Sequence, residues 1–117
     1  MKEHRKSERV IPAQQPKGRL SLYVDDRCYE VKEVRDVSPF GIGVRVEANL
    51  GKDAEVRLSY QSGDETLQVF GVIAWGSQVE EKVSGKYVEG LYRTGICLRP
   101  EDVEANLSFY KLITSRS

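Results

Sequence analysis

The sequence predicts a mainly β fold: a small six-stranded antiparallel β-barrel with a C-terminal α-helix and a flexible N-terminal arm. Three observations carry this. Between Arg19 and Leu98 apolar residues recur at every second position in six runs separated by turn-forming residues. After Pro100 the apolar spacing lengthens to that of a helix, and before Arg19 no period is visible. At 117 residues the chain has the length of one domain. The expected division is an arm over 1–18 and a barrel with its helix over 19–117.

The arm holds Pro12 and Pro16 around Ala13-Gln14-Gln15, which reads as extended chain, and its obvious apolar anchors are Val10 and Ile11. In the first strand Leu20, Leu22 and Val24 alternate with Ser21, Tyr23 and Asp25. Asp25-Asp26 turns the chain into a second run, Cys28 to Val37, whose phase slips: Tyr29 and Val31 share one parity, Val34 and Asp36 the other. A β-bulge near Lys32-Glu33, or a strand boundary there, accounts for the slip. Ile42, Val44 and Val46 mark the third strand; Ala54, Val56, Leu58 and Tyr60 mark the fourth.

Gln61-Ser62-Gly63-Asp64 is a hairpin signal. The fifth run, Leu67 to Trp75, is apolar on both parities beyond Val69, as if both its faces were covered. A polar loop is expected over Glu80 to Lys86, and Leu91 to Leu98 forms the sixth strand. Pro100 suits a first helical position, with Glu101 and Asp102 at the positive end of the helix dipole. Val103, Leu107 and Tyr110, with Phe109, Leu112 and Ile113, supply its apolar stripe. Six antiparallel strands remove their exposed edges by closing into a barrel.

Eighteen Lys and Arg balance eighteen Asp and Glu, so bulk attraction to polyanions is not expected. The balance is uneven along the chain: residues 1–19 hold six basic and two acidic side chains, a net of +4, which leaves −4 on the rest. No apolar run approaches a membrane span, and the polar start is unlike a signal peptide, so a cytoplasmic protein is expected. Cys28 and Cys97 lack metal-site spacing and read as small buried hydrophobes.

No enzyme is expected. His4 is the one histidine, so the core has no Ser-His or Cys-His pair. Ser38 is not in a nucleophile elbow, and Gly41-Ile42-Gly43 does not continue into a dinucleotide fingerprint. No catalytic residue, metal or cofactor is assigned.

Two segments carry binding chemistry. Arg5-Lys6-Ser7-Glu8-Arg9 presents two guanidinium forks four residues apart, each able to make paired hydrogen bonds to phosphate oxygens or to the O6/N7 edge of guanine. Asp36-Val37-Ser38-Pro39-Phe40-Gly41 offers a carboxylate acceptor for the guanine N1 and N2 donors, a hydroxyl for phosphate or ribose, and a glycine that permits close approach. The bland alternatives are a solvated basic arm and a side-chain-capped turn.

The two motifs together, in this order around a β-barrel pattern, resemble the PilZ domain family, which is marked by Arg-x-x-x-Arg followed by Asp/Asn-x-Ser-x-x-Gly. The resemblance spans nearly the whole chain. It includes Trp75 at the end of the fifth strand, and Gly95-Ile96-Cys97-Leu98 leading to Pro100-Glu101-Asp102 and the final helix. It implies a receptor for the bacterial second messenger cyclic di-GMP (c-di-GMP). Arg5 and Arg9 would then be the main clamps, Asp36 and Ser38 would contact the ligand, and Gly41 would shape the loop. Trp75 and His4 are additional candidate contacts. His4 stands where many members carry another arginine, which leaves one ligand or two open. Phe40, bulkier than usual there, would cover the site or pack on Ile11.

The resemblance further implies a separate effector protein as partner, with a monomer or homodimer and no nucleic acid expected. The rival readings are a nucleotide-independent PilZ-like adaptor and, further off, a single-stranded nucleic-acid binder, which would need an aromatic, basic face.

Overall fold

The computed structural model describes residues 11, 15–78, 81–83, 86–88 and 92–114. His4, Arg5, Arg9 and Val10 lie outside them. Among the described residues nine strands precede one helix: β1 Arg19–Val24, β2 Arg27–Glu30, β3 Glu33–Ser38, β4 Gly41–Val46, β5 Glu55–Ser62, β6 Glu65–Gln78, β7 Glu81–Val83, β8 Lys86–Val88 and β9 Tyr92–Leu98. A 3-10 turn, Pro100–Asp102, leads into α1, Val103–Thr114.

Seven strands form one antiparallel sheet in the order β2-β1-β5-β6-β9-β4-β3, and β7 and β8 pair separately. The expected second strand is therefore two, β2 and β3, at opposite ends of the sheet. Val31 and Lys32 join them at one corner of the curled sheet: the Val31 N–H donates to the Leu20 carbonyl of β1 at 3.0 Å and the Lys32 N–H to the Arg45 carbonyl of β4 at 2.8 Å. Both ends thus meet at one corner, which satisfies edge groups that would otherwise face water. The polar loop expected over Glu80 to Lys86 contains instead the short β7–β8 hairpin.

Side chains of one parity fill the interior. Leu20 and Leu22, Ile42, Val44 and Val46, Val56, Leu58 and Tyr60, Val69 and Ile73, and Ile96 and Leu98 are buried, and Phe109 and Ile113 of α1 close the same core. The helix meets it along Asn106, Phe109 and Ile113, whereas Val103 and Leu107 are 45% and 38% exposed. Asn106 belongs on the buried stripe because its Nδ2 donates to the Arg99 carbonyl at 2.8 Å, tying the helix to the end of β9.

The arm's root is held by polar contacts. Gln15 uses both ends of its amide on Val34: Nε2 donates to the carbonyl at 3.0 Å and Oε1 accepts from the N–H at 2.7 Å. The Gly18 N–H donates to the Tyr60 hydroxyl at 2.9 Å, at a spot where a side chain would strike the Tyr60 ring. Ile11, 79% exposed, is no anchor and gives Phe40 no buried packing partner.

Two strand irregularities decide what faces outward. Along β3, Val34 faces Val44, but Asp36 faces Gly43, so one extra residue, Arg35, is accommodated. Along β6, Ile73 faces Ile96, but Trp75 faces Gly95, with Ala74 extra. Each bulge flips the parity of the residues after it. Without them Asp36 and Trp75 would point into the core; with them both point to the outer face. The phase slip read in the sequence is thus the strand boundary at Val31-Lys32, and the bulge lies further on, between Val34 and Asp36, two positions of one sequence parity.

Candidate ligand-binding site

On the outer face, the register places cross-strand neighbours in rows. One row reads Asp36 on β3, Gly43 on β4, Gly95 on β9 and Trp75 on β6. Its middle members have no side chains, and its end members lean over them. A Cβ on Gly43 would lie 3.2 Å from both carboxylate oxygens of Asp36, and one on Gly95 would collide with the indole of Trp75. The result is a trough floored by backbone. It is walled by a carboxylate and an indole whose strands stand three strand spacings apart, about 14 Å between Cα atoms.

Glycine at alternate strand positions, where no turn needs it, is the signature of close approach by another group. Here that space suits a flat ring: the indole offers a stacking face and the carboxylate accepts hydrogen bonds at its far end. Trp75 is 48% exposed, so it is not a core tryptophan.

The next row reads Ser38, Gly41, Cys97, Val72 and Glu55. Gly41 is buried and faces Ser38 across the turn. Ser38 is 4% exposed, and its Oγ accepts from the Phe40 N–H at 3.1 Å. This serine caps its own turn, the bland alternative, and stiffens the corner next to Asp36. Phe40 itself is 37% exposed at that corner. The row on the other side of the trough reads Glu33, Arg45, Arg93 and Ser77. Arg45 Nε lies 3.1 Å from Glu33 Oε1 in an ion pair whose charges meet without a well-aligned hydrogen bond.

The structure therefore brings together Asp36, Ser38, Gly41 and Trp75, while His4, Arg5 and Arg9 lie outside the described residues. Sequence reasoning missed Gly43 and Gly95 as floor; the available signal was a glycine two positions after Gly41 and another in mid-strand. It also misplaced the cysteines. Both are exposed, because Cys97 has the outward parity of Gly95 and Cys28 lies opposite Tyr23. Phe70 and Val72, 38% and 39% exposed, likewise show that β6 is covered on one face only.

Away from the trough, Arg57 lies over the Tyr23 ring at 4.3 Å and Arg99 over the Phe70 ring at 5.3 Å. The Cys28 thiol opposite Tyr23 raises the pKa of its hydroxyl above the ordinary tyrosine value. These rings are occupied by the protein's own guanidiniums. Tyr60 is buried. Among the described residues no group of three or more His, Cys, Asp or Glu side chains is arranged to hold a metal ion, and no helix is long and apolar enough to cross a membrane.

The floor gives a direct test. Gly95→Ala is expected to push the indole off its seat, shifting the emission of the one tryptophan to the red while costing about 1 kcal/mol or less, because the displaced ring is half in solvent. An unchanged spectrum would mean that Trp75 does not rest on Gly95.

No protein-family model matches the sequence, and no curated protein does. Among solved structures the chain is similar to the PilZ domain with c-di-GMP of YcgR from Escherichia coli, with a TM-score of 0.72 at 13% identity, over 95% of this chain and 89% of that one. At this identity the likeness speaks for architecture alone: the chain has the PilZ fold.

Proposed function

We propose that this protein is a receptor for c-di-GMP. The observation that carries the reading is the pair of bulges, one on each side of β4 and β9, that turn Asp36 and Trp75 out over the same glycine floor. Such re-aiming of side chains is what bulges do beside functional sites. A guanine on that floor would stack against Trp75 or present N1 and N2 to Asp36, with Ser38 and Gly41 fixing the corner.

The arginines come from the arm, and its anchoring supports their part. Gln15 clips the chain to Val34, two residues before Asp36. Arg9 is six residues from that clip, so fully extended chain reaches at most about 20 Å, against about 7 Å from Val34 to Asp36 along the strand. Arg9 and Arg5 then close over the phosphates, with His4 beside them. Occupancy changes the arm's shape, and a separate effector protein in the cytoplasm reads that change. The PilZ domain of YcgR, with c-di-GMP, has the same fold.

The deciding experiment heats the protein with c-di-GMP, with GMP and with cyclic AMP. At a hundredfold excess over Kd, c-di-GMP is expected to add about 2.7 kcal/mol, on the order of 10 °C in Tm, and the controls almost nothing. No shift at high c-di-GMP would leave the nucleotide-independent adaptor standing.

A further inference from the structure

We infer that Arg93, on the barrel itself, is a further phosphate-binding residue of this site; the inference rests on the c-di-GMP reading. Arg93 is exposed and points to the outer face two residues before Gly95, about 7 Å along β9 from the floor. Its cross-strand neighbours are Ser77 on β6 and Arg45 on β4.

The apposition of two arginines is the first clue. Like charges directly opposite in an antiparallel pair destabilise it. Arg45 has Glu33 at 3.1 Å. Among the described residues Arg93 has no carboxylate partner. A cation held against another cation, with no carboxylate partner among the described residues, is a poor choice for stability and a good one for receiving an anion.

The second clue is polarity across the trough. On the side of Cys97 and Val72 the row is uncharged from β3 to β6, with the carboxylate of Glu55 beyond it on β5, whereas on the side of Arg93 the neighbours are Arg45 and Glu33. The arm is clipped on at Val34, between the rows of Asp36 and Glu33, so its root lies near the charged side. A nucleotide whose base covers the glycines would turn its phosphates that way, toward Arg93 and the arm together. Arg93 would thus supply a fixed guanidinium on a strand, complementing forks carried by the arm.

The experiment is calorimetric titration of the full chain with c-di-GMP at low and high salt, for the wild type, Arg93→Gln, Arg93→Lys and the outer-face control Arg57→Gln, with Tm measured without ligand. Arg93→Gln is expected to bind roughly tenfold to a hundredfold more weakly and to lose part of the salt dependence. Its ligand-free Tm should equal or exceed that of the wild type, because a like-charge pair is relieved. Arg93→Lys should fall between the two, and Arg57→Gln should bind as the wild type does. Arg93→Gln binding within twofold of a wild type that does bind would overturn the role of Arg93 and leave the receptor reading intact. A lowered ligand-free Tm in both Arg93 variants would make the residue structural. A wild type that does not bind removes the receptor reading and this inference with it.

Discussion

Phe109→Ala is expected to cost about 3–5 kcal/mol, the largest loss of stability from any single truncation on the helix. Phe109 is fully buried and shares one apolar cluster with residues of β1, β3, β4, β5, β6 and β9, so its removal leaves a cavity that the curled sheet cannot easily collapse. A domain of 117 residues has a total stability of roughly 6–17 kcal/mol, so the variant would be marginal. Urea unfolding followed by circular dichroism would show the midpoint falling at nearly constant slope. Val103→Ala is the matched control: that side chain is 45% exposed and should change stability by about 0.5 kcal/mol or less. A loss below about 1 kcal/mol for Phe109→Ala would mean that α1 docks on the barrel without belonging to its cooperative core.

Much of this architecture is legible in the sequence because parity is local. Leu20 and Leu22, the Ile42-Val44-Val46 run and the Val56-Leu58-Tyr60 run each declare an inward face, and the structure buries them all. Turns are equally local: Asp25 adopts φ +54° and Gly63 φ +60° where the hairpins reverse. Phase resets are harder. The one at Arg35 left a trace because Val34 and Val37 are both apolar on opposite parities, but the one at Ala74 sits in a run that is apolar on both parities, where a flip changes nothing visible. Hence Trp75, Phe70 and Val72 read as covered and are exposed.

The site was legible in its motif and not in its floor. Asp36, Ser38 and Gly41 lie together in the sequence, and their turn is what such residues build. Gly43 and Gly95 become partners only through the pairing of β4 with β9, which joins positions more than fifty residues apart. Likewise, nothing near Gln15 announces that its amide will bond Val34; that depends on β3 lying at the end of the sheet order. The corner that Val31 and Lys32 make between the two ends of the sheet is again a property of two distant strands at once. Local chemistry names the candidate ligand groups, and non-local pairing decides which of them share a surface.

Removal of both arm arginines is the prediction with the greatest expected effect on binding. Arg5→Ala/Arg9→Ala should weaken c-di-GMP binding by more than about a hundredfold. Each charge-assisted bond contributes about 1.5–3 kcal/mol, and a factor of ten is about 1.4 kcal/mol. The single variant Arg9→Ala should lose roughly thirtyfold, from about 2 kcal/mol. The two effects need not add, because ordering the arm costs about 1–2 kcal/mol per residue and several bonds must form at once to offset it. Once one fork is gone, the remaining bonds no longer hold the arm down, so the second loss finds less left to remove. Arg5→Lys/Arg9→Lys separates charge from shape: it keeps two cations but not the planar forks, and should bind between the wild type and the double alanine variant. Ligand-free Tm should be the same in all of them if the arm's part is to close over ligand rather than to hold the barrel, and the steep fall of affinity with salt should flatten in the alanine variant. A double alanine variant binding within threefold of the wild type would place the ligand's phosphates elsewhere, and Arg93 on the rigid strand would then be the first cation to examine.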